Sequence, residues 1–314
     1  MVQVDLITGF LGAGKTTFLR RYVRYLVAQG HNVCILENDF GAVNVDAMLV
    51  QDLLGPNCDL ETISGGCDCD THQRRMRTKL IAMAMRGFDR VVVEPSGIFD
   101  VDEFFAVLRD DPLDRWYHIG NVIAIVDAML PETLSPQAEY VLASETANAG
   151  RVLLSRTRQA GQAQTAAAAA HLTRALEGCK CSRRFAPEEI LTKDWAQLTG
   201  ADLATLASCG YRQASCEKLH FDEHEAFSSL CFLEQHLTLQ QLQAAADHLF
   251  ADAACGHVLR VKGFAPDPQG TTGWLELNAT AAGRTLEPIP QGQDVLIVIG
   301  EGLDKAAIEA RLKA

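Results

Sequence analysis

Short apolar runs alternate with longer segments of helical spacing along the first two thirds of the chain. The runs are rich in valine and isoleucine and have the length of buried strands, whereas the longer segments repeat apolar residues every three or four positions. Predicted strands lie at residues 2–8, 31–36, 60–63, 90–94, 121–127, 151–158 and 188–192, and the clearest helices at residues 17–28, 71–86, 165–176 and 194–208. This alternation predicts an α/β fold with a doubly wound, mostly parallel sheet.

The pattern changes at residue 219. Beyond it, predicted strands at residues 227–233, 257–263, 273–279 and 295–299 accompany helices at residues 238–250 and 304–312. We therefore predict two domains, a larger α/β domain over residues 1–218 and a smaller α+β domain over residues 219–314. We interpret His220 and His224 as surface residues of a polar linker and His257 as a packed strand residue. The smaller domain has no catalytic pattern, and we expect it to recognise a client protein or another subunit.

The loop after the first strand has the spacing of a phosphate-binding P-loop. Residues 9–16 are G-x-x-x-x-G-K-T, and a helical segment follows at once. Its glycines let backbone N–H groups turn toward one concavity, and the helix N-terminus adds a positive dipole end. Lys15 can then reach the β- and γ-phosphates of a nucleotide, and the Thr16 hydroxyl can bind Mg²⁺. The predicted nucleotide-binding residues here are Gly9, Gly12, Ala13, Gly14, Lys15, Thr16 and Thr17.

Acidic residues follow the second and fourth predicted strands. The carboxyl ends of the strands in an open α/β sheet face the ligand crevice. Glu37, Asp39 and Asp46 are therefore candidates to lie near Mg²⁺ or a second metal ion, although an ordinary polar turn explains them equally well. Glu94 can bind the metal through water or polarise an attacking water, and Gly97 can bring its N–H to the γ-phosphate.

A cysteine pair follows the third predicted strand. Cys67 and Cys69 stand in a glycine-rich turn, and Asp70 and His72 come next. Two thiols at this spacing can bind one ion, and Zn²⁺ accepts cysteine, carboxylate and histidine ligands together. The pattern is also compatible with two unrelated thiols at a helix start, where Asp70 would act as the N-cap.

Composition narrows the class of protein. The chain has 314 residues, 48% of them hydrophobic, and no apolar run long enough for a membrane helix. Its net charge of −12 disfavours a nucleic-acid partner. The first strand follows Met1 without room for a signal peptide, so we expect a cytoplasmic protein with no membrane partner. Ten cysteines then favour metal or redox chemistry over disulfides, and Cys179 and Cys181 are expected in an exposed loop.

Four segments taken together resemble the CobW-type P-loop GTPases, a family with relatives of the HypB and UreG types. They are GFLGAGKTT after the first strand, ENDFG after the second, GGCDCD after the third and VVVEPSG after the fourth. The segment RVKG at residues 260–263 resembles part of the family's C-terminal domain. The resemblance covers nearly the whole chain and implies a P-loop NTPase fold with GTP or ATP, and Mg²⁺, as cofactors.

The resemblance also implies a function. Members of this kind act as metal chaperones or metallocentre insertases, in which slow nucleotide hydrolysis is coupled to the binding and delivery of a transition metal such as zinc or cobalt. A client metalloprotein would be the partner, reached through the C-terminal domain. Lys15, Glu94 and Gly97 then take the catalytic positions. Glu37, Cys67 and Cys69 fall on the family's transition-metal site, beside Asp70.

Two positions depart from the family pattern. The family's C-x-C-C motif ends here in Asp70, and a carboxylate is a harder ligand than a thiolate, which weakens Zn²⁺ binding. The guanine-reading motif N-K-x-D is replaced by the sequence Ser-Arg-Thr-Arg at residues 155–158. The family's aspartate accepts from the N1–H and amino groups of guanine, whereas Arg158 has only donors. Arg156 can still stack on a purine, so GTP and ATP both stay open.

Two functions follow from these features. In the first, an NTPase shifts the metal affinity of the chain through residues 37–52, which would lie between the metal and the γ-phosphate. In the second, the chain is a nucleotide-regulated protein-binding module with weak hydrolysis and no metal cargo, which the two altered motifs favour. A small-molecule kinase is a weaker third reading because no lid or acceptor site is evident. Homo-oligomerisation stays open.

Overall fold

The structure, a computed structural model, describes residues 1–39, 49–64, 69–95, 97, 101–217, 227–270, 273–289 and 292–312. Within these ranges only the backbone is described at residues 38–39, 64, 69–72 and 102–103. The described residues fall into two compact units, residues 1–217 and residues 227–312. The domain boundary predicted at residue 218 lies outside the described residues and stays a prediction.

The first unit contains a seven-stranded sheet in which every neighbouring pair of strands is parallel. Its order is β3-β2-β4-β1-β5-β6-β7. The strands are β1 (Val2–Thr8), β2 (Val33–Asp39), β3 (Cys58–Ser64), β4 (Arg90–Glu94), β5 (Tyr117–Asp127), β6 (Arg151–Ser155) and β7 (Ile190–Leu191). The predicted doubly wound, mostly parallel sheet is thus confirmed, with β1 at its centre.

Helices form much of the connections between the strands of this unit. They are α1 (Lys15–Ala28), α2 (Cys69–Ala84), α3 (Val101–Arg109), α4 (Leu113–Trp116), α5 (Pro136–Ala147), α6 (Thr157–Gly178) and α7 (Gly200–Leu206), with 3₁₀ turns at Gln51–Leu53, Pro187–Glu189 and Trp195–Gln197. The sixth strand is shorter than predicted because Arg156 is left-handed (φ 53°) and caps α6 instead. Helix α6 is kinked at Gly161, where φ is 71°. No helix in the described ranges is long and apolar enough to cross a bilayer.

The second unit is a five-stranded antiparallel sheet with helices, as the predicted α+β domain requires. Its order is β11-β10-β9-β12-β8, and its core packs Leu242 and Ala246 against Leu277 and Val298. The elements are β8 (Ser228–Leu233), α8 (Leu239–Ala251), a 3₁₀ turn (Ala253–Cys255), β9 (His257–Pro266), β10 (Trp274–Thr280), β11 (Gly283–Ile289), β12 (Val295–Glu301) and α9 (Lys305–Leu312). The sequence did not predict β11, since this edge strand is half-exposed and carries few apolar residues.

The prediction for His257 was wrong. This residue begins β9 and is paired in register with Glu301 at the end of β12. Its side chain is largely exposed, and its Nδ1 lies 2.9 Å from Glu301 Oε2. A side chain on a strand is buried only where other elements pack on that part of the sheet. The start of β9 leaves the His257 side chain exposed to solvent.

The expectation of reduced cysteines was also wrong for one pair. Cys181, which was expected in an exposed loop, is instead buried and forms a disulfide with Cys216. The two residues meet because residues 215–217 run beside residues 179–182, where Ser182 N–H donates to the Ser215 carbonyl at 2.8 Å. The bond joins residues 35 positions apart, so local spacing could not reveal it.

A buried carboxylate ties the centre of the first unit together. Asp5 on β1 accepts hydrogen bonds from the Tyr22 hydroxyl (2.8 Å) and from Arg90 (2.8 Å). It also accepts from the backbone N–H of Asn121 (2.9 Å) and from the side-chain amide of the same residue (2.8 Å). Burial, and then the nearby Asp5 charge, raises the pKa of Tyr22, so the phenol stays a donor. One carboxylate therefore connects α1 with β1, β4 and β5.

Replacing Asp5 by alanine is expected to destabilise the chain strongly. The substitution leaves the half-buried Arg90 guanidinium and the buried backbone N–H of Asn121 without their shared acceptor, a change that costs about 3–5 kcal/mol. Urea unfolding followed by circular dichroism measures this loss. Asp110→Ala is the control, because its ion pair with Arg77 is exposed and contributes below about 1 kcal/mol. Equal losses in the two variants would contradict the central place of Asp5.

Candidate functional site

The P-loop joins β1 to α1 at the carboxyl edge of the sheet. At Gly9 φ is +139°, and a Cβ there would lie 2.1 Å from the Ile125 carbonyl oxygen, so only glycine fits. Gly14 caps α1 in a left-handed conformation (φ 103°). The buried Lys15 donates from Nζ to the Gly9 carbonyl oxygen at 2.7 Å. Its ammonium group therefore folds back over the loop, where the phosphates of a nucleotide would bind.

The residues predicted to bind Mg²⁺ meet beside this loop. The Thr16 hydroxyl donates to Glu94 Oε1 at 2.8 Å. Thr16 lies in the first turn of α1 and Glu94 is the last residue of β4, the strand next to β1. A hydroxyl and a carboxylate are hard oxygen donors of the kind that Mg²⁺ prefers, so the residues present fit this ion.

Gly97 packs directly on the P-loop. A Cβ at this position would lie 2.7 Å from the Leu11 nitrogen and 2.9 Å from Lys15 Nζ. The backbone at residue 97 therefore lies against both the loop and its lysine. The contact between the Gly97 N–H and a γ-phosphate stays a prediction.

A second carboxylate lies on the neighbouring strand. The register of β2 and β4 pairs Glu37 with Glu94, and β3 places Thr62 on the other side of Glu37. Paired residues of adjacent parallel strands point to the same face of a sheet. Glu37 is 1% exposed and Glu94 is 7% exposed. The structure thus brings the predicted transition-metal ligand beside the predicted Mg²⁺ ligand.

The remaining metal ligands cannot be placed. Cys67 and Asp46 lie outside the described residues, and only the backbone is described at Asp39, Cys69 and Asp70, where Asp39 ends β2 and the other two begin α2. Among side chains that the structure does describe, no group of three histidine, cysteine or acidic residues is placed to hold a metal ion. The zinc site of Glu37, Cys67, Cys69 and Asp70 stays a prediction.

On the other side of β1, Arg156 reaches the P-loop. One of its terminal nitrogens donates to the Gly12 carbonyl oxygen at 2.7 Å, and the other lies 2.8 Å from Asp127 Oδ2. Asp127 ends β5, and its burial raises its pKa, while the Arg156 charge lowers it. The arginine is therefore fixed between the cradle and a strand-end acid. The sequence placed Arg156 near a nucleotide but gave Asp127 no role.

Sequence reasoning missed two further residues of this region. Glu145 of α5 accepts from the Gly9 N–H at 2.6 Å and from the Thr8 hydroxyl at 3.3 Å. The indole N–H of Trp195 donates to the Leu154 carbonyl, and its ring would lie 3.4 Å from a Cβ placed on Gly14. The sequence offered one signal for Glu145, which is an acid within the otherwise mostly apolar segment YVLASETA. A buried helix carries an acid only where a hydrogen-bond donor meets it.

Comparison with known proteins gives the family. A family model described as "CobW/HypB/UreG, nucleotide-binding domain" matches residues 3–182. The chain belongs to this family. The resemblance inferred from the four motifs is thereby confirmed, and the family match includes the P-loop, Glu37, Glu94, Gly97 and Arg156.

Individual relatives of this CobW/HypB/UreG chain match shorter parts of it. The zinc chaperone YjiA of Escherichia coli (strain K12) is 32% identical over 173 residues, which make up 52% of this chain and 52% of that protein. The zinc chaperone YeiR of the same organism is 30% identical over 131 residues, 41% of this chain and 39% of that protein. The chain thus matches about half or less of the length of these relatives. A crystal structure of Zn(II)-bound YjiA GTPase from E. coli aligns with 99% of this chain and 98% of its own chain at 22% identity, with a TM-score of 0.39.

Gly97→Ala is expected to weaken triphosphate binding by at least about tenfold in this CobW/HypB/UreG domain. A methyl group there must displace either the P-loop backbone or the Lys15 ammonium, and misplaced phosphate ligands lose affinity steeply. Calorimetric titration with a non-hydrolysable GTP analogue and Mg²⁺ measures the effect. Gly178→Ala is the matched control, because a Cβ there has no atom within 4 Å. Unchanged affinity in Gly97→Ala would show that residue 97 lies away from the ligand.

Proposed function

We propose that this chain is a slow P-loop nucleoside triphosphatase that binds GTP or ATP with Mg²⁺ and couples hydrolysis to the binding and delivery of a transition metal. The observation that carries the proposal is the pairing of Glu37 with Glu94 on adjacent strands, where Glu94 also accepts from Thr16. The names of the relatives, zinc chaperones, support Zn²⁺ as the metal. In this proposal the metal is cargo, and Mg²⁺ serves the nucleotide.

Each residue of the cradle has a role in this proposal. Lys15 leaves the Gly9 carbonyl and neutralises charge on the β- and γ-phosphates. Thr16 and Glu94 hold Mg²⁺, which when bound stabilises charge on the same phosphate oxygens. Glu94 also positions the attacking water, and the Gly97 N–H contacts the γ-phosphate. The backbone N–H groups of the loop complete the cradle.

The adjacent acids give a physical route for coupling. Two buried carboxylates on neighbouring strands repel each other, and a cation beside either one relieves that repulsion. Binding of Mg²⁺ and nucleotide at Glu94 therefore changes the affinity of Glu37 for the cargo metal. Cys67, Cys69 and Asp70 supply the other ligands of the cargo metal in this proposal, and Asp39 is a further candidate ligand for Mg²⁺.

The affinity of the chain for Zn²⁺ is expected to change by about five- to 150-fold between the nucleotide-free state and the state with Mg²⁺ and a non-hydrolysable GTP analogue. Competition with a chromophoric chelator measures both affinities. Glu37→Gln is expected to weaken zinc binding and to abolish the difference. Glu61→Gln removes the same charge from β3 and is the control, because Glu61 is paired instead with Lys79 and Arg86. Equal zinc affinity in the two nucleotide states would exclude the coupling.

Lys15→Ala is expected to lower affinity for Mg²⁺–GTP and Mg²⁺–ATP by more than about tenfold, since the lysine carries the charge that faces the phosphates. Equilibrium titration with both nucleotides measures this loss. Arg24→Ala, an exposed residue on the same helix, is expected to leave both affinities unchanged. Nucleotide binding that survives in Lys15→Ala would overturn the nucleotide half of the proposal.

The second candidate is a nucleotide-regulated protein-binding module with no metal cargo. Asp70 at the end of the cysteine motif favours it, because it replaces a soft ligand with a hard one. This candidate predicts purified protein without stoichiometric zinc from metal-replete medium, and little or no turnover. Stoichiometric zinc that is released after hydrolysis would exclude it.

We also propose that the client is a metalloprotein recognised by the second unit. Its antiparallel sheet offers no candidate catalytic group within the described residues, so recognition is the role that remains for it. The cytoplasmic location, the absence of a nucleic-acid partner and the oligomeric state stay predictions from the sequence.

A further inference from the structure

A cavity of about 710 Å³ lies along the loops that follow β6 and β7. Its walls include Thr157, Arg158, Gly161, Gln162, Asp194 and Gln197. Both strands lie on the side of β1 away from β4 and β2, as the order of the sheet requires. The cavity and the pair of acids are therefore on opposite sides of the P-loop.

The direction of a bound nucleotide follows from this arrangement. Thr16, Glu94 and Gly97 mark the side for Mg²⁺ and the terminal phosphate, so the nucleoside extends the other way, toward β6 and β7. Two contacts join the cavity to the cradle. Arg156, which precedes Thr157, donates to the Gly12 carbonyl, and Trp195, which follows Asp194, lies beside Gly14. A volume of this size is in the range of small-molecule pockets and accommodates a nucleoside.

We propose that Arg158 reads the base, by donating two hydrogen bonds to O6 and N7 of a 6-oxopurine. Its side chain is exposed and forms part of the cavity wall. Within the described part of the chain, no hydrogen bond or ion pair engages its guanidinium group. O6 and N7 are adjacent acceptors that match the two donors of an arginine, whereas adenine presents an amino group at the same place. This inference rests on the proposed nucleotide site.

Arginine and a carboxylate recognise different edges of a purine base. A carboxylate accepts from N1–H and the 2-amino group, so it rejects hypoxanthine, which lacks the amino group. An arginine at O6 and N7 does not contact the 2-amino group and treats guanine and hypoxanthine alike. Asp194 is the acid in the wall that could act in the first way, although its Oδ1 already accepts from the Ala196 N–H at 3.0 Å.

Titration of the full chain with Mg²⁺ and GDP, IDP or ADP tests the proposal. We expect GDP and IDP to bind within about twofold of each other and ADP at least about tenfold more weakly. Arg158→Ala is expected to lower the affinities for GDP and IDP to that of ADP and to leave ADP unchanged. Arg174→Ala removes an exposed arginine from the same helix, outside the cavity wall, and is expected to change none of the three.

Three results would overturn the proposal. Binding of GDP at least about tenfold tighter than IDP, lost in Asp194→Asn but not in Arg158→Ala, would assign the base to the acid. Equal binding of all three nucleotides would show that the base is not read, and would leave the proposed nucleotide function intact. No binding of any nucleotide by the wild-type chain would remove the nucleotide site itself, and the base reader with it.

Discussion

The backbone at Gly9 is the point on which the site depends. Its N–H donates to the buried carboxylate of Glu145, its carbonyl accepts from the Lys15 ammonium, and its α-carbon faces the Ile125 carbonyl, where no side chain fits. A carboxylate and an ammonium group are thus held on either side of one residue. Because the lysine is already bound to this carbonyl, a triphosphate at the loop would meet an ordered cation. Much of the entropic cost of positioning the lysine is met by the fold.

The candidate functional residues lie on two sides of Gly9 along the carboxyl edge of the sheet. Toward β4 and β2 lie Thr16, Glu94 and Glu37, which are oxygen donors suited to cations. Toward β5 and β6 lie Asp127 and Arg156, which pair with each other at 2.8 Å. Burial raises the pKa of Asp127, and the Arg156 charge counteracts part of that shift. The sheet therefore arranges hydroxyl and carboxylate oxygens on one side of the P-loop and an arginine–carboxylate pair on the other.

Local sequence patterns predicted the P-loop, most strands of the sheet and the position of Glu37 and Glu94 at strand ends, because the strand ends of a parallel sheet share one edge. Contacts between distant segments were not predictable in this way. Glu145 lies 136 positions from Gly9, and the Cys181–Cys216 disulfide depends on two segments meeting in register. Helix α5 was missed because it is apolar on nearly every side, which removes the amphipathic period that marks a surface helix.

The altered motif at residues 155–158 contains a strained residue that contacts the P-loop. Arg156 adopts φ 53°, a conformation that costs an L-residue about 1–2 kcal/mol. Its bonds to the Gly12 carbonyl and to Asp127 offset that strain. A loop held in a strained conformation by contacts with the P-loop is one whose position matters to the cradle. In the proposed function, the departures at Asp70 and Arg158 fall at the metal site and at the base site, whereas the P-loop between them keeps the family sequence.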